Sequence, residues 1–330
     1  MVRLGIIGCS EIAYRRFLPA SQKIKQMQVV AVAEEHDRSR LQRFTDTFGI
    51  EGVCSFGELL QRADIDAVYI PQPPALHYEW AKKALSVNKH VLIEKPSTTS
   101  YSDSLNLVNT AEKNGLALHE NYMFIYHEQI QEIREMIASG EIGEIRLMRA
   151  DFGFPLREKN DFRYVKELGG GALLDAGGYA LRLAALMLGH TVHVDAAHLH
   201  GLPGYEVDMY GCAQLSNKKG EACQIAFGMD CEYRCSLEVW GSQGKLTTNR
   251  IFTAPDGYPP MAYLEHAGKI KKIQLPVDDS FEKSIQAFLT EISTETQRKR
   301  AYEDMITQAR LVEELRALSG ANGGTHEHYL

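Results

Sequence analysis

A glycine-rich turn near the start of the chain has residue types that bind a phosphate group. It lies between the first predicted strand and the first predicted helix, and its sequence is Gly8-Cys9-Ser10-Glu11-Ile12-Ala13. A G-x-G-x-x-G/A turn at this place brings the pyrophosphate of a dinucleotide onto the N-terminus of the helix. Ser10 replaces the middle glycine, and a small residue still allows close approach of the backbone. A tight turn that binds nothing has a similar sequence, so the surrounding elements must decide.

An acid, Glu34, closes the second predicted strand roughly 25 residues later, where a ribose hydroxyl would be bound. The two features together predict a nicotinamide dinucleotide site. A carboxylate here favours NAD because it repels the 2′-phosphate of NADP, at about 4 kcal/mol per like-charge pair at about 4 Å before salt screening. In the alternative interpretation, His36, Arg38 or Arg40 neutralises that phosphate and Glu34 points to solvent.

The fourth predicted strand ends in Ile93-Glu94-Lys95-Pro96. Ligands bind at the carboxyl ends of the strands in an open parallel sheet, so Lys95 is placed beside the nicotinamide. The proline restricts Lys95 to an extended conformation and permits a cis peptide bond. An isolated Lys-Pro pair would instead be interpreted as a surface lysine before a loop.

The elements that position these residues alternate between strands and helices over the first third of the chain. Strands are predicted at 3–7, 29–33, 67–70, 90–93 and 116–118, with helical patterns between them. Strands alternating with helices indicate right-handed crossovers and a parallel sheet. The sequence therefore predicts an α/β fold with an N-terminal Rossmann domain, a doubly wound parallel sheet, over residues 1–121.

The pattern changes after Glu120, and residues 122–330 are predicted to form a second domain for substrate binding and oligomerisation. Extended segments at 145–152, 205–215, 222–229, 235–241 and 245–249, with hairpin-like breaks between some of them, predict a C-terminal α+β domain with a large, mainly antiparallel open sheet. Helices are predicted at 128–139, 280–296 and 302–318, and a frayed tail from Gly320.

The composition is that of an ordinary globular protein. The 330 residues are 44% hydrophobic and 24% charged, with a net charge of −7 from interspersed acids and bases. Nucleic-acid and membrane partners are therefore not expected. The N-terminus has no secretory-signal pattern, which predicts a cytoplasmic protein. The six cysteines form no C-x-x-C pair, so we expect buried free thiols and no metal site.

Taken together, the motifs resemble the glucose-fructose oxidoreductase, inositol dehydrogenase and rhizopine-catabolism (GFO/IDH/MocA) family over nearly the whole chain. The matching strings are Gly5-Ile6-Ile7-Gly8 with Ala13, Ile70-Pro71-Gln72-Pro73 with His77, Glu94-Lys95-Pro96, and Gly169-Gly170-Gly171-Ala172-Leu173-Leu174-Asp175 with Gly177 and Tyr179. The resemblance implies a Rossmann domain and an α/β domain that hold the substrate between them against the nicotinamide.

By this resemblance Lys95 matches the active-site lysine of the family and Tyr179 its catalytic acid/base. Many members have histidine at the second position and aspartate three residues later. Tyr179 and Arg182 stand there in this chain, which is similar to the tyrosine branch with its sugar ketoreductases and dihydrodiol dehydrogenases. A phenol of pKa near 10 needs a neighbouring cation to exchange protons at neutrality, and Lys95 would be that cation. Without the glycine-rich segment before it, Tyr179 would be interpreted as a core aromatic.

Within that branch, further strings resemble the C-3 ketoreductases of dTDP-linked keto-deoxysugars. They include Gly8-Cys9, Glu120-Asn121-Tyr122-Met123-Phe124, Arg163-Tyr164 and Asn249-Arg250. Arginines would bind the diphosphate and a tyrosine the base, although contacts within the domain explain these residues equally well. The cofactor residues are then Gly8, Cys9, Ser10, Glu11, Ile12, Glu34, Pro71, Gln72, Pro73, His77, Glu94, Lys95 and Asn121. The substrate residues are Lys95, Tyr122, Arg163, Tyr164, Asp175, Tyr179 and Arg250.

The predicted function is NAD(P)-dependent reduction of a 3-keto group on a nucleotide-linked deoxysugar, with Tyr179 as proton donor and Lys95 assisting. Glu34 favours NAD, whereas close relatives prefer NADP. The alternatives are dehydrogenation of a free sugar or trans-dihydrodiol, a non-catalytic dinucleotide sensor, and NAD-dependent glycoside cleavage. The resemblance also implies a homodimer or homotetramer that pairs through the outer face of the second domain's sheet.

Overall fold

The computed structural model describes residues 1–322, which pack into two compact units. The first unit comprises residues 1–126 and 279–306, and the second comprises 127–278 and the described residues from 307. The predicted division into 1–121 and 122–330 differs from these units mainly at 279–306. That segment packs with the first unit because Phe281, Ile285 and Phe288 belong to its hydrophobic core. Residues 323–330, most of the predicted frayed tail, lie outside the described residues.

The first unit is built on a six-stranded parallel sheet with the order β3-β2-β1-β4-β5-β6. Its elements up to residue 120 are β1 (Val2–Ile7), α1 (Leu18–Ser21), β2 (Met27–Ala33), α2 (Arg38–Phe48), β3 (Glu51–Val53), α3 (Phe56–Gln61), β4 (Ala67–Ile70), α4 (Pro74–Ser86), β5 (His90–Ile93), α5 (Tyr101–Asn114) and β6 (Leu118–Glu120). This strand order is that of a Rossmann fold, which confirms the predicted class. The short edge strand β3 was not predicted, because Glu51-Gly52-Val53 has no apolar run.

The second unit contains an eight-stranded sheet with the order β14-β13-β12-β11-β7-β10-β9-β8, in which only the β7–β10 pair is parallel. The remaining elements of the chain are α6 (Glu128–Ala138), β7 (Ile145–Gly153), α7 (Gly178–Leu188), β8 (His193–Gly201), β9 (Asp208–Ser216), β10 (Ala222–Gly228), β11 (Arg234–Gly241), β12 (Gly244–Asn249), β13 (Met261–His266), β14 (Lys269–Gln274), α8 (Ser280–Ser293) and α9 (Glu295–Asn322). The mainly antiparallel sheet is confirmed. The sequence did not predict β8, whose register shifts break the alternation of buried and exposed residues.

One face of this sheet is covered by α7, which packs against β7 and β10. The stretch Lys166–Leu188 is long and apolar enough for a membrane span, but 83% of its most apolar part is buried within the protein. That burial is the property of a core helix. The opposite face of the sheet carries exposed aromatic residues, among them Tyr210 and Trp240.

Candidate active site

The turn after β1 has a backbone that only glycine fits. Gly8 has φ +106°, and its N–H donates to the Ala33 carbonyl at 2.9 Å. A Cβ at this position would lie 2.0 Å from Gln72 Nε2, whose amide donates to the Ile7 carbonyl at 3.1 Å. The loop after β4 therefore packs directly on the turn, and a side chain on Gly8 would separate the two.

Ser10 caps a helical segment that starts at residue 11 and continues into α1. Its Oγ accepts a hydrogen bond from Ala13 N at 3.2 Å and its carbonyl accepts one from Tyr14 N at 3.1 Å. Serine is a favourable helix cap, which explains how it replaces the middle glycine. Glu11 pairs with Arg15 and Arg43 at the surface. A left-handed glycine followed by the N-terminus of a helix fits the pyrophosphate of a dinucleotide.

Glu34 lies across this turn. One carboxylate oxygen, Oε2, accepts from Cys9 N at 3.1 Å, and the other accepts from His36 N at 3.0 Å. The Cys9 thiol is buried, and burial followed by the charge of Glu34 raises its pKa to about 12. Cys9 therefore stays protonated and contributes its backbone to the turn. Arg38 and Arg40 already have partners, since they contact Cys54 Sγ and the Asp37 carboxylate.

His77 joins the loops that follow β4 and β5. Its ring is fully buried, with Nδ1 2.7 Å from the Pro96 carbonyl and Nε2 2.6 Å from the Gln72 carbonyl. Burial lowers its pKa to about 4. Pro73 precedes α4 and accepts from Leu76 N at 2.9 Å. Because both ring nitrogens face backbone carbonyls, a contribution of His77 to cofactor binding would act through these loops.

Glu94 and Lys95 follow β5, and the Lys95–Pro96 peptide bond is cis. Both side chains are half-buried. Glu94 Oε1 accepts from the Tyr69 hydroxyl at 2.7 Å and from Asn121 Nδ2 at 2.6 Å. Burial raises the pKa of the Glu94 carboxyl. The structure thus brings Gly8, Glu34, Gln72, Glu94 and Asn121 to the carboxyl edge of one parallel sheet, as the motifs predict.

Tyr179 lies in the first turn of α7 in the second unit and is 7% exposed. Its ring packs edge-on against Phe152 at a centroid distance of 5.2 Å and against Phe252 at 5.9 Å. A π-helical turn, Leu173–Gly177, precedes α7, and a Cβ at Gly177 would lie 3.1 Å from the Phe227 ring. The helix therefore sits close on the sheet, with the tyrosine held among aromatic rings.

The glycines before α7 are required by close contacts. A Cβ on Gly170 would lie 2.4 Å from the Arg163 carbonyl, and Gly171 has φ +123°. Asp208 of β9 accepts from Leu173 N at 2.6 Å. Burial raises the pKa of this carboxyl. The segment that leads into Tyr179 is thus fixed at its start by a half-buried acid.

Arg163 forms ion pairs within the second unit. Its Nε donates to Asp175 at 2.7 Å and its Nη1 to Asp161 at 3.0 Å. Asp175 lies one helical turn before Tyr179. Of the two interpretations for Arg163, the structure shows the contact within the domain, and its use for a substrate phosphate stays a prediction.

The other predicted substrate residues also have neighbours within their units. The Tyr164 hydroxyl accepts from Arg157 N at 2.8 Å. Arg250, at φ +57°, donates to the Tyr233 hydroxyl at 2.8 Å, with its guanidinium 4.4 Å from that ring's centroid. Tyr122 belongs to the first unit and is only 1% exposed. Its position gives a ligand little access, so its role stays a prediction.

Several residues that hold the site were not found from the sequence. They are Tyr69, Asp208, Ser284 and, on the same helix face as Ser284, Glu291. Asp208 could have been noticed as an acid that begins an alternating strand. Tyr69 sits in an apolar run and resembles a core residue. Among residues 1–322, no three His, Cys, Asp or Glu side chains are grouped as a metal site would require.

Comparison with known proteins identifies the chain. Residues 2–122 match the oxidoreductase family with an NAD-binding Rossmann fold, and residues 130–247 match the GFO/IDH/MocA C-terminal domain. A dTDP-3,4-didehydro-2,6-dideoxy-alpha-D-glucose 3-reductase from Saccharopolyspora spinosa is 40% identical over 318 residues, which cover 94% of this chain and 96% of that protein. The crystal structure of a 3-ketoreductase from Actinomadura kijaniata in complex with NADP and TDP-benzene has a TM-score of 0.92 and 40% identity, covering 96% of this chain and 97% of the other.

An aldose-aldose oxidoreductase from Caulobacter crescentus shares the fold with a TM-score of 0.88 at 20% identity, over 97% of this chain and 98% of that one. The Rossmann unit, its dinucleotide turn and these relatives define an NAD(P)-dependent oxidoreductase that acts on CH–OH or C=O groups. The chain belongs to the GFO/IDH/MocA family, which confirms the resemblance seen in the sequence.

Proposed function

We propose that this protein reduces the 3-keto group of a dTDP-linked deoxysugar. The observation that carries the proposal is the 40% identity, over nearly the full length of both chains, to 3-reductases of a dTDP-linked dideoxy sugar from two organisms. Free-sugar and dihydrodiol dehydrogenases are more distant, at 28% identity for a D-xylose 1-dehydrogenase from Haloferax volcanii and 31% over 48% of the chain for a trans-dihydrodiol dehydrogenase from Xenopus tropicalis.

In the proposed mechanism, a reduced nicotinamide dinucleotide, held by the Gly8 turn and Glu34, would supply a hydride to C3 of the sugar. The electron pair of the carbonyl π bond moves to the oxygen, and Tyr179 gives that oxygen its phenolic proton. Lys95 donates a hydrogen bond to the same oxygen as negative charge develops, a type of stabilisation often worth about 3 kcal/mol per donor. Its positive charge also favours the phenolate that remains on Tyr179.

The environments of the two residues support these roles. Tyr179 is nearly buried and packs against the rings of Phe152 and Phe252. Its hydroxyl is therefore held next to apolar side chains. Lys95 follows Glu94 at the carboxyl end of β5, where ligands bind in such sheets. Asp175, fixed by Arg163, lies one turn before Tyr179.

For the cofactor, we propose that the protein uses NADH more readily than its relatives do. Glu34 bonds to the backbone of the dinucleotide turn, and the nearby Arg38 and Arg40 are paired with other groups. The relative from Actinomadura kijaniata is in complex with NADP. A carboxylate where a 2′-phosphate would lie favours NAD in this chain.

We also propose that copies of the chain pair through the uncovered face of the eight-stranded sheet. Trp240 is 57% and Tyr210 39% exposed there, and a hollow of about 910 Å³ is lined in part by His198, Tyr210 and Arg234. Exposed aromatics on such a face are typical of an interface. Light scattering of the protein and of Trp240→Lys tests the pairing. The six cysteines are free, but Cys54 and Cys212 are exposed, where buried thiols were expected. Free thiols agree with a reducing, cytoplasmic location.

The decisive experiment follows the loss of reduced-nicotinamide absorbance with an enzymatically prepared dTDP-3-keto-6-deoxysugar, using NADH and NADPH in parallel. Turnover with the nucleotide sugar and none with the matching free sugar is expected. Turnover with free sugars or dihydrodiols alone would contradict the proposal and favour a dehydrogenase. Cofactor binding with no turnover would favour a sensor, and cleavage of a glycoside without net cofactor use would indicate the glycosidase reaction.

A further inference from the structure

A chain of buried polar side chains leads from helix α8 to Glu94, the residue before Lys95. Its members are Glu94, Asn121, Ser284, His119 and Glu291, all within the first unit. We call this set the α8 relay. His119, Asn121 and Ser284 are each 1% exposed and Glu291 is 4% exposed, whereas Glu94 is half-buried. The relay thus ends at the one member that reaches the edge of the sheet where the cofactor residues meet.

Each hydrogen bond between Glu94, Asn121 and Ser284 has a defined donor and acceptor. Glu94 Oε1 accepts from Asn121 Nδ2 at 2.6 Å and also from the Tyr69 hydroxyl. The opposite amide orientation of Asn121 would place two acceptor oxygens against each other. Asn121 Oδ1 therefore faces Ser284 and accepts from its hydroxyl at 2.7 Å. The single hydroxyl hydrogen of Ser284 is used in this bond.

This assignment of donors and acceptors fixes a proton on His119. Ser284 Oγ lies 2.9 Å from His119 Nε2, and because its hydrogen is already donated to Asn121, it must accept one from that ring nitrogen. The other ring nitrogen, Nδ1, lies 2.9 Å from Glu291 Oε1. One hydrogen lies between these two atoms and completes the relay.

The ring and the helix are held in place by packing. His119 stacks on Tyr126 at a centroid distance of 5.5 Å and contacts Phe288 edge-on at 5.9 Å. Ser284, Phe288 and Glu291 lie on one face of α8, at helical spacing. The contacts above satisfy the buried polar atoms of the relay except Glu291 Oε2, which has no hydrogen-bond partner. Removing one member of such a buried network leaves its neighbour unsatisfied.

We propose that Ser284, His119 and Glu291 are positioning residues that fix the Asn121 amide and the Glu94 carboxylate for the nicotinamide cofactor. The inference rests on the proposed function, in which the cofactor lies beside Lys95, the residue after Glu94. It makes α8, more than 150 residues further along the chain, part of the cofactor site. A change in α8 then alters cofactor affinity without touching the cofactor.

The test is Ser284→Ala, which removes the donor to Asn121 and changes little volume, with Ser284→Thr as the variant that keeps the hydroxyl. Ser293→Ala is the matched control, since Ser293 lies on the same helix and bonds only to carbonyls of its own helix. The dissociation constant of NADH, measured by its fluorescence, is the readout. This needs no sugar substrate, so the result stands even if the ketoreductase activity is absent.

We expect Ser284→Ala to weaken NADH binding about tenfold, with Ser284→Thr and Ser293→Ala within about twofold of the unaltered protein. An unchanged NADH affinity in Ser284→Ala would overturn the proposal, whatever happens to the thermal midpoint. Where Ser284→Ala fails to fold, Glu291→Met against Glu291→Gln replaces it. The glutamine can donate to His119 Nδ1 and preserve the relay, whereas the methionine cannot, so equal affinities in that pair would also contradict the proposal.

Discussion

Each unit holds its proposed reactive residue with the help of a half-buried acid, but the two acids use different partners. Glu94, next to Lys95, accepts from the side chains of Tyr69 and Asn121. Asp208, which fixes the segment before Tyr179, accepts from the backbone N–H of Leu173. Burial raises the pKa of both carboxyls.

The difference predicts different sensitivities. A substitution at any member of the α8 relay removes one of its hydrogen bonds, and we expect that loss to change the cofactor site. A bond from an acid to the start of a helix mainly stabilises that helix. Substitutions around Glu94 should therefore change affinity, and substitutions at Asp208 should change stability. The reactive residues themselves should change only the rate.

The largest effect is expected from Tyr179→Phe. The ring packs against Phe152 and Phe252, so phenylalanine fits the same space and only the proton donor is lost. We expect kcat to fall by about 10³-fold, within the range of general acid catalysis, with NADH affinity unchanged. Steady-state kinetics with the dTDP-keto sugar measure this. Tyr210→Phe, on the exposed sheet face, is the control, and near-normal turnover of Tyr179→Phe would end the assignment.

Lys95→Met should have the next largest effect. The substitution keeps the length of the side chain and removes the cation, so we expect kcat to fall by about 10²-fold. Lys82→Met, on the exposed side of α4, is the control. If the two lysine variants had equal activity, Lys95 would be a surface residue before a loop.

Glu34→Gln should shift cofactor choice. It removes the charge that opposes a 2′-phosphate, and we expect the ratio of NADPH to NADH affinity to rise about 30-fold after screening. Glu35→Gln is a matched control, because Glu35 is the neighbouring acid and accepts from Phe56 N instead. Fluorescence titration of both cofactors gives the ratio. An unchanged ratio in Glu34→Gln would mean that Glu34 does not face the ribose.

The sequence predicted the first unit better than the second for a physical reason. Gly8, Glu34 and Lys95 follow buried strands directly, so periodicity alone locates them at one edge of the sheet. Tyr179 could be identified only by resemblance to a family, because an aromatic residue on an apolar helix is typical of a core.

Contacts between residues far apart in the chain could not be predicted at all. The pairing of Ser284 with Asn121 joins α8 to β6 across 163 positions, and nothing local to either residue signals it. The sequence placed 279–306 in the second domain for the same reason, because its contacts with the first unit have no local signal. Its main helix, α8, is amphipathic, and amphipathicity shows that a face is buried but not against which core.

The smallest effect, and the sharpest contrast with the α8 relay, is expected at Asp208. Asp208→Asn keeps an oxygen to accept from Leu173 N and removes a desolvated charge, so its free energy of unfolding at pH 7 should lie within about 1 kcal/mol of the unaltered protein. Asp208→Ala leaves that N–H without its acceptor and should cost about 1–2 kcal/mol. Urea unfolding measures both, and equal losses in the two variants would contradict the capping role.

The pH dependence of Asp208 has a definite sign. Its pKa in the folded protein lies above its ordinary value of 3.8, so the folded state binds the proton more tightly than the unfolded state does. Its contribution to stability is therefore fully present below that ordinary value and is lost as the pH rises through the raised pKa. Asp208→Asn should lack this part of the pH dependence, while its NADH affinity stays unchanged. A loss of NADH affinity in Asp208→Asn would contradict the separate roles that we assign to Glu94 and Asp208.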